Sequence, residues 1–189
     1  MRDEASVVPV TTSQWSDVEE LLGRRGAVKG CWCMFFRLTP QERKTQWGEG
    51  NRQALRELVA AGREPGLVAY REGSPAGWVS VAPREEFCRL DRSPVSKPVD
   101  DRPVWALVCL YVAREHRGRG VARELVRGAV DFAAARGAKT VEAYPVDDTL
   151  GTVTADEAFH GVVSLLADEG FQEVARRTPK RPVMRREIG

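Results

Sequence analysis

Three features of the sequence predict a mixed α/β fold. The run Val104-Trp-Ala-Leu-Val-Cys-Leu-Tyr-Val112 is apolar at every position, as in a central strand buried on both faces. A glycine turn and a helical pattern follow it directly, and strand and helix periods then alternate to the C-terminus. With 189 residues, 42% hydrophobic and 30% charged, the chain has an ordinary globular balance and argues against intrinsic disorder. One domain over 1–189 is expected, because domains usually run to roughly 100–200 residues.

Ser6-Val-Val-Pro-Val10 reads as a short edge strand, with Pro9 confined to an edge because it has no N–H to donate. Thr12 or Ser13 is placed to cap a first helix that ends near Gly23 and carries Val18, Leu21 and Leu22 on one face. Thr39-Pro40 marks a second helix start, and Asn51 to Ala61, closed by Gly62, a third helix, so residues 26–62 are loops and helices. Leu67 to Tyr70 and Trp78 to Val81, joined by Glu72-Gly73-Ser74-Pro75, form a hairpin. Asp91 to Pro103 is charged, proline-rich and aperiodic, the mark of a surface loop. The central strand comes next. Val121, Leu125, Ala129 and Phe132 then define a helix ending at Gly137, followed by a strand over Thr140 to Tyr144. A helix over Ala158 to Asp168 and strands at Phe171 to Arg176 and Val183 to Glu187 complete the chain.

Composition excludes several functions. The longest apolar run, Val104 to Val112, is far short of the roughly 18 residues that suggest a membrane span, and Met1-Arg2-Asp3-Glu4 is unlike a secretory signal. No membrane association and a cytoplasmic setting are expected. A formal charge of +2, with arginine interspersed among carboxylates, leaves no basic patch for nucleic acid. The four cysteines are expected to stay thiols. Cys31-Trp32-Cys33 lacks the second ligand pair of a structural zinc site, so no metal is expected and buried, inert thiols are the simpler reading.

Chemistry is concentrated in Arg117-Gly118-Arg119-Gly120-Val121-Ala122, between the buried strand and the helix. Two glycines allow a tight bend and close approach of a ligand, and the first helical turn leaves its N–H groups unpaired with the helix dipole behind them. The result is an anion site. A nucleotide-hydrolysing loop would need Gly-Lys followed by Ser or Thr, and a dinucleotide loop a third glycine where Arg123 stands.

The segment resembles the pyrophosphate motif Arg/Gln-x-x-Gly-x-Gly/Ala of the GNAT superfamily of acyl-CoA-dependent N-acetyltransferases. Leu110-Tyr111-Val112 before it and Gly170-Phe171 after the last helix are similar to that family too, over residues 66–82 and 104–176. Gly30-Cys31-Trp32-Cys33-Met34 looks like a feature of one subgroup. The resemblance implies a mixed, mostly antiparallel sheet that splays at an acyl-CoA cleft and is flanked by helices. The cofactor core would span 104–171, with a variable acceptor-side segment at 24–62. It implies acetyl-CoA as cosubstrate, held at the diphosphate by Arg117, Gly118, Arg119, Gly120, Val121 and Ala122. Leu110, Tyr111 and Val112 would contact pantetheine through their backbone. A small-molecule or peptide amine would be the acceptor, attacking directly in a ternary complex, and a homodimer is consistent with the family and with an exposed terminal strand.

Acid and base do not carry over. Val108 and Cys109 stand where the family often places a strand carboxylate, and Leu166 stands where a tyrosine is usual. Glu142 and Tyr144, two apart on the next strand and so on one face, are the replacement candidates for base and proton donor, against an ion pair and half-buried packing. Trp32, Phe35 and Phe36 are candidate walls of the acceptor pocket, against ordinary core packing. Asp147-Asp148 and Asp156-Glu157 either attract a cationic amine or line a solvated loop. Loss of the usual carboxylate and tyrosine also leaves a second reading, an acyl-CoA-binding regulatory or interaction module.

Overall fold

Seven strands, β1 (Ser6–Pro9), β2 (Leu67–Arg71), β3 (Ser74–Pro83), β4 (Trp105–Val112), β5 (Thr140–Ala143), β6 (Gln172–Thr178) and β7 (Arg181–Glu187), join into one sheet. They do so in a computed structural model that describes residues 5–23, 29–154 and 156–189. The order is β1-β2-β3-β4-β5-β7-β6, antiparallel throughout except for the parallel pair β4–β5. The sheet is mixed and mostly antiparallel, as the sequence predicts. The N-terminal tetrapeptide and the first part of the 24–62 segment, residues 24–28, lie outside the described residues.

Helices α1 (Trp15–Leu22), α2 (Pro40–Thr45), α3 (Glu49–Ala60) and α4 (Cys88–Arg92) belong to one side of the sheet, and α5 (Val121–Ala135) and α6 (Val163–Asp168) to the other. Local chemistry sets their ends. Thr39 accepts from the Glu42 amide while the Glu42 carboxylate accepts from the Thr39 amide, a reciprocal cap with Pro40 in the first turn. The first helix is capped one residue earlier than expected: Thr11 caps a short 3₁₀ turn, Thr12–Gln14, that leads into α1. Helix α5 opens after Gly120, which is left-handed at φ 89°, and packs Leu125, Val126 and Ala129 on the sheet. Burying a leucine such as Leu125 fully contributes roughly 1.5–3 kcal/mol.

Three expectations need correction. The helix over Ala158 to Asp168 is two pieces, a 3₁₀ turn at Ala158–His160 and α6, because Gly161 at φ 78° breaks it. Asp91 to Pro103 is partly helical at its start and is tied down, with Ser96 buried. The last strand is not an edge: β7 lies between β5 and β6, and the sheet's two free edges are β1 and β6. The β6 edge has two register shifts and carries Glu173, Arg176 and Arg177, features that discourage pairing there with a second copy.

The sheet opens where function requires it. Strand β4 pairs with β5 only at Trp105, Ala106 and Leu107. Its antiparallel register with β3 slips at the same place, Val81 facing Leu107 and Ser80 facing Cys109, so Val108 is a bulge residue. Val108 and Cys109 consequently turn to the same core, and among the described residues no strand pairs with β4 beyond Leu107 on its β5 side.

Candidate active site

The gap beyond Leu107 is a cleft of about 330 Å³. One wall is Leu110, Tyr111, Val112, Arg117 and Ala122, and the other is Asp156, Ala158, Phe159, Gly161, Val162 and Leu165. The far wall is held by a parallel bridge between Val146 and Val162. Of the predicted cofactor residues, Leu110, Tyr111, Val112, Arg117 and Ala122 thus meet at one surface, with Gly118 to Val121 continuing it along the chain.

The turn below the cleft is built to receive an anion. Gly118 and Gly120 have φ of 73° and 89°, values that place two successive bends without a side chain, and the space where each Cβ would stand is open. Among the described residues the amides of Gly118, Arg119, Gly120, Val121 and Ala122 donate no hydrogen bond, whereas the Arg123 and Glu124 amides already bond to the Gly120 carbonyl. The bend is braced from outside. Arg117 Nε donates to the Val112 carbonyl at 3.1 Å, and Arg71 Nη1 donates to the Arg119 carbonyl at 2.9 Å. Val121 differs from its neighbours in that its side chain is buried under Gly77.

Glu142 and Tyr144 do share a face, yet neither lines the cleft. The Tyr144 hydroxyl donates to Glu142 Oε1 at 2.5 Å and accepts from Arg84, while Glu142 Oε2 accepts from Arg185 Nε at 2.7 Å. Glu142 is 0% exposed and both its oxygens are engaged, so an amine has no path to it. Burial, with the Glu142 carboxylate beside it, raises the Tyr144 hydroxyl well above the ordinary tyrosine value and keeps it protonated. These positions suit the ion-pair reading of Glu142, not a base in contact with substrate.

The aromatic segment packs mainly inward. Trp32 stacks on Trp15 at 6.5 Å, and Trp32 and Phe36 are buried, while Phe35 is half-buried beneath the Arg89 guanidinium at 4.0 Å. A ring series nonetheless reaches the cleft: Phe35 meets Phe36 at 5.1 Å, Phe36 meets His160 at 5.7 Å, and His160 stacks at 3.8 Å on Phe159, a cleft residue. His160 lies in the 3₁₀ turn before Gly161, not in the helix expected over Ala158 to Asp168. Gly161, the helix breaker, was the available signal.

Cys33 and Cys109 are buried with their sulfurs 2.9 Å apart, both as thiols. The contact with Cys109 and then burial push the Cys33 thiol well above its ordinary value, and burial pushes Cys31 up to about 12. Neither is a nucleophile. Among the described residues no group of side chains is arranged to hold a metal, and no helix is long and apolar enough to cross a membrane.

A strand that parts from its parallel neighbour above a glycine turn with free amides is the geometry implied by the motif resemblance. The model of the Acetyltransferase (GNAT) family matches residues 32–153. The chain belongs to the GNAT acetyltransferase family. No curated protein matches the sequence. Solved structures align over nearly the whole chain at low identity. PH1933 from Pyrococcus horikoshii OT3 is 16% identical, covers 98% of this chain and 99% of its own, and has a TM-score of 0.56. The PaiA N-acetyltransferase from Thermoplasma acidophilum, solved with coenzyme A, is 12% identical over 97% and 99%, with a TM-score of 0.54. A chain of the NatC complex, solved with Gag peptide and CoA, is 14% identical over 98% and 99%, with a TM-score of 0.56. As a member of that family the protein is an acetyltransferase. The turn suits a diphosphate, since undonated amides at a helix start match an anion.

Proposed function

We propose that the protein transfers the acetyl group of acetyl-CoA to a primary amine of a small molecule or peptide by direct attack in a ternary complex. The observation that carries this reading is the unpaired edge of β4 at Leu110, Tyr111 and Val112, continuous with the free amides of Gly118 to Ala122. The amides, with the α5 dipole behind them, hold the diphosphate. The open strand edge takes the pantetheine amide, and an N–H there stabilises the acetyl oxygen as negative charge develops. Tyr111, the tyrosine on the cleft wall, offers its hydroxyl proton to the leaving thiolate. It regains one from the attacking nitrogen as the C–N bond forms and the C–S bond breaks, the amine having first lost its ammonium proton to water. Glu142 and Tyr144 act as positioning residues that fix β5 against β7. Asp156, on the opposite wall and largely exposed, supplies negative charge for an incoming ammonium.

A peptide acceptor is supported by the NatC structure, solved with Gag peptide, whose fold this chain shares. The buried state of Glu142 favours a second reading, an acyl-CoA-binding module with weak chemistry. Calorimetry of acetyl-CoA with the wild type and with Gly120→Asp tests the shared premise. The added carboxylate faces the diphosphate, so affinity is expected to fall at least about tenfold, roughly 1.4 kcal/mol; equal affinity overturns the site. Coenzyme A release across polyamines, aminoglycosides, amino acids and peptide N-termini separates enzyme from module, because binding without release on any amine supports the latter.

A further inference from the structure

Most arginines around the sheet are matched to a carboxylate or carbonyl, and three gathered near α4 are not. A small pocket of about 180 Å³ is lined by Leu38, Pro40, Cys88, Arg89, Arg92, Ser93 and Pro94. Among the described residues neither Arg89, Arg92 nor the adjacent Arg43 has a carboxylate within ion-pair distance, and Arg43 lies close enough to repel Arg89. Of the nearby carboxylates, Glu42 caps α2, Asp91 pairs with Arg84 and Glu86 pairs with Arg37 and Arg63, while the exposed Glu85 pairs with none of the three arginines.

The polar side chains on this pocket present donors. The Arg89 guanidinium lies over the Phe35 ring at 4.0 Å and has no carboxylate partner among the described residues, which leaves its N–H groups for a ligand. The Ser93 oxygen accepts from the Val95 and Ser96 amides, both at 3.3 Å, so its proton is free to donate. The Cys88 thiol points away, donating to the Arg37 carbonyl at 3.3 Å. Two guanidinium groups, a hydroxyl proton and a third cation alongside match an oxyanion, and a dianionic phosphoryl group better than a single carboxylate. Phe35, under Arg89, begins a ring series that continues through Phe36 and His160 to Phe159 on the cleft wall.

We infer that the Arg89–Arg92–Ser93 pocket is a subsite for a phosphoryl group on the acceptor, with the acceptor amine reaching toward the cleft. This rests on the acetyl-transfer reading above and narrows its substrate class to phosphate-bearing amines.

Inorganic phosphate is the probe. It is titrated calorimetrically at constant ionic strength with coenzyme A saturating, so that the glycine turn cannot answer for the pocket. Saturable binding is expected, weakened at least about fivefold, roughly 1 kcal/mol, in Arg89→Gln and in Arg92→Gln and largely kept in Arg92→Lys. With an amine that turns over, phosphate is expected to inhibit competitively against the amine in the wild type and not in Arg92→Gln. Absence of saturable binding overturns the subsite, as does binding indifferent to both substitutions. Inhibition that is not competitive with the amine overturns its assignment to the acceptor. Repeating the phosphate titration in Gly120→Asp without coenzyme A separates the two proposals: retained binding with unimpaired acetyl-CoA affinity sinks the cofactor site and leaves the pocket standing.

Discussion

His160 sits in the turn before Gly161 with its ring against Phe36 and Phe159, and none of its ring nitrogens hydrogen-bonds to a described residue. Burial first, and then the positive field of Arg181, lower it from the usual imidazole value to about 3. A histidine held neutral in the fold destabilises as pH falls, since the unfolded chain takes up a proton that the native chain refuses. The loss begins near pH 6.5, the ordinary value, and saturates near pH 3. By pH 4.5 it is about 1–2 kcal/mol after allowing for partial exposure of the ring. Urea midpoints of the wild type and His160→Gln across that range are expected to diverge toward acid, with the variant the flatter. Parallel curves would mean that the ring is hydrated in solution. Such a group also makes a poor base, which is consistent with the direct-attack scheme drawing on other residues.

Elements show the same dependence on single backbone positions. Gly161 divides the 3₁₀ turn from α6 and lies on the cleft wall, at φ 78° with open space where a Cβ would project. Gly161→Ala is therefore strained by conformation alone and is expected to cost about 1–2 kcal/mol, with Gly161→Asn less severe because asparagine tolerates the left-handed region. Thermal unfolding checks the ranking, and equal losses for both would point to contact with a neighbour instead. Patterns of period decide what the sequence alone reveals. The buried β4, the hairpin of β2 and β3, the α2 cap and the glycine turn before α5 were all legible, because each rests on local chemistry. The continuous helical spacing of Ala158 to Asp168 concealed the break, since apolar period outweighs one glycine in a sequence reading. The bulge at Val108 leaves no mark either: in an all-apolar strand, an extra residue changes which face is used without changing the pattern.

At the scale of the whole molecule, arginines tie segments that sequence patterns leave apart. Arg177 donates to the carbonyls of Val95, Lys97 and Pro98, and Arg84 to that of Ser96, so the stretch that looks like a free loop is clamped to β6 and β3. Arg185 bridges this loop to the sheet interior, pairing with Asp100 at 2.7 Å and with Glu142 at 2.7 Å. Glu142 and Arg185 stand opposite each other on β5 and β7. The face of the sheet under α1, α3 and α4 thus contains a buried charge pair whose members were legible only one at a time, because ion pairs across distant strands carry no spacing rule. Their energetics follow from desolvation. Arg185→Met alone leaves the Glu142 carboxylate buried with Arg84 at 3.4 Å and the Tyr144 hydroxyl, and is expected to cost about 3–5 kcal/mol. Adding Glu142→Leu removes the stranded charge and is expected to restore most of that loss, since apolar replacement of a whole buried pair is often neutral. The Tyr144 hydroxyl keeps Arg84 as its partner in the double variant. Urea unfolding of the four proteins in this cycle gives the coupling directly, and acetyl-CoA calorimetry on the double variant reads the site in parallel. A double variant no more stable than Arg185→Met, or one that folds well but loses acetyl-CoA affinity, would show that this pair does more than hold β5 to β7.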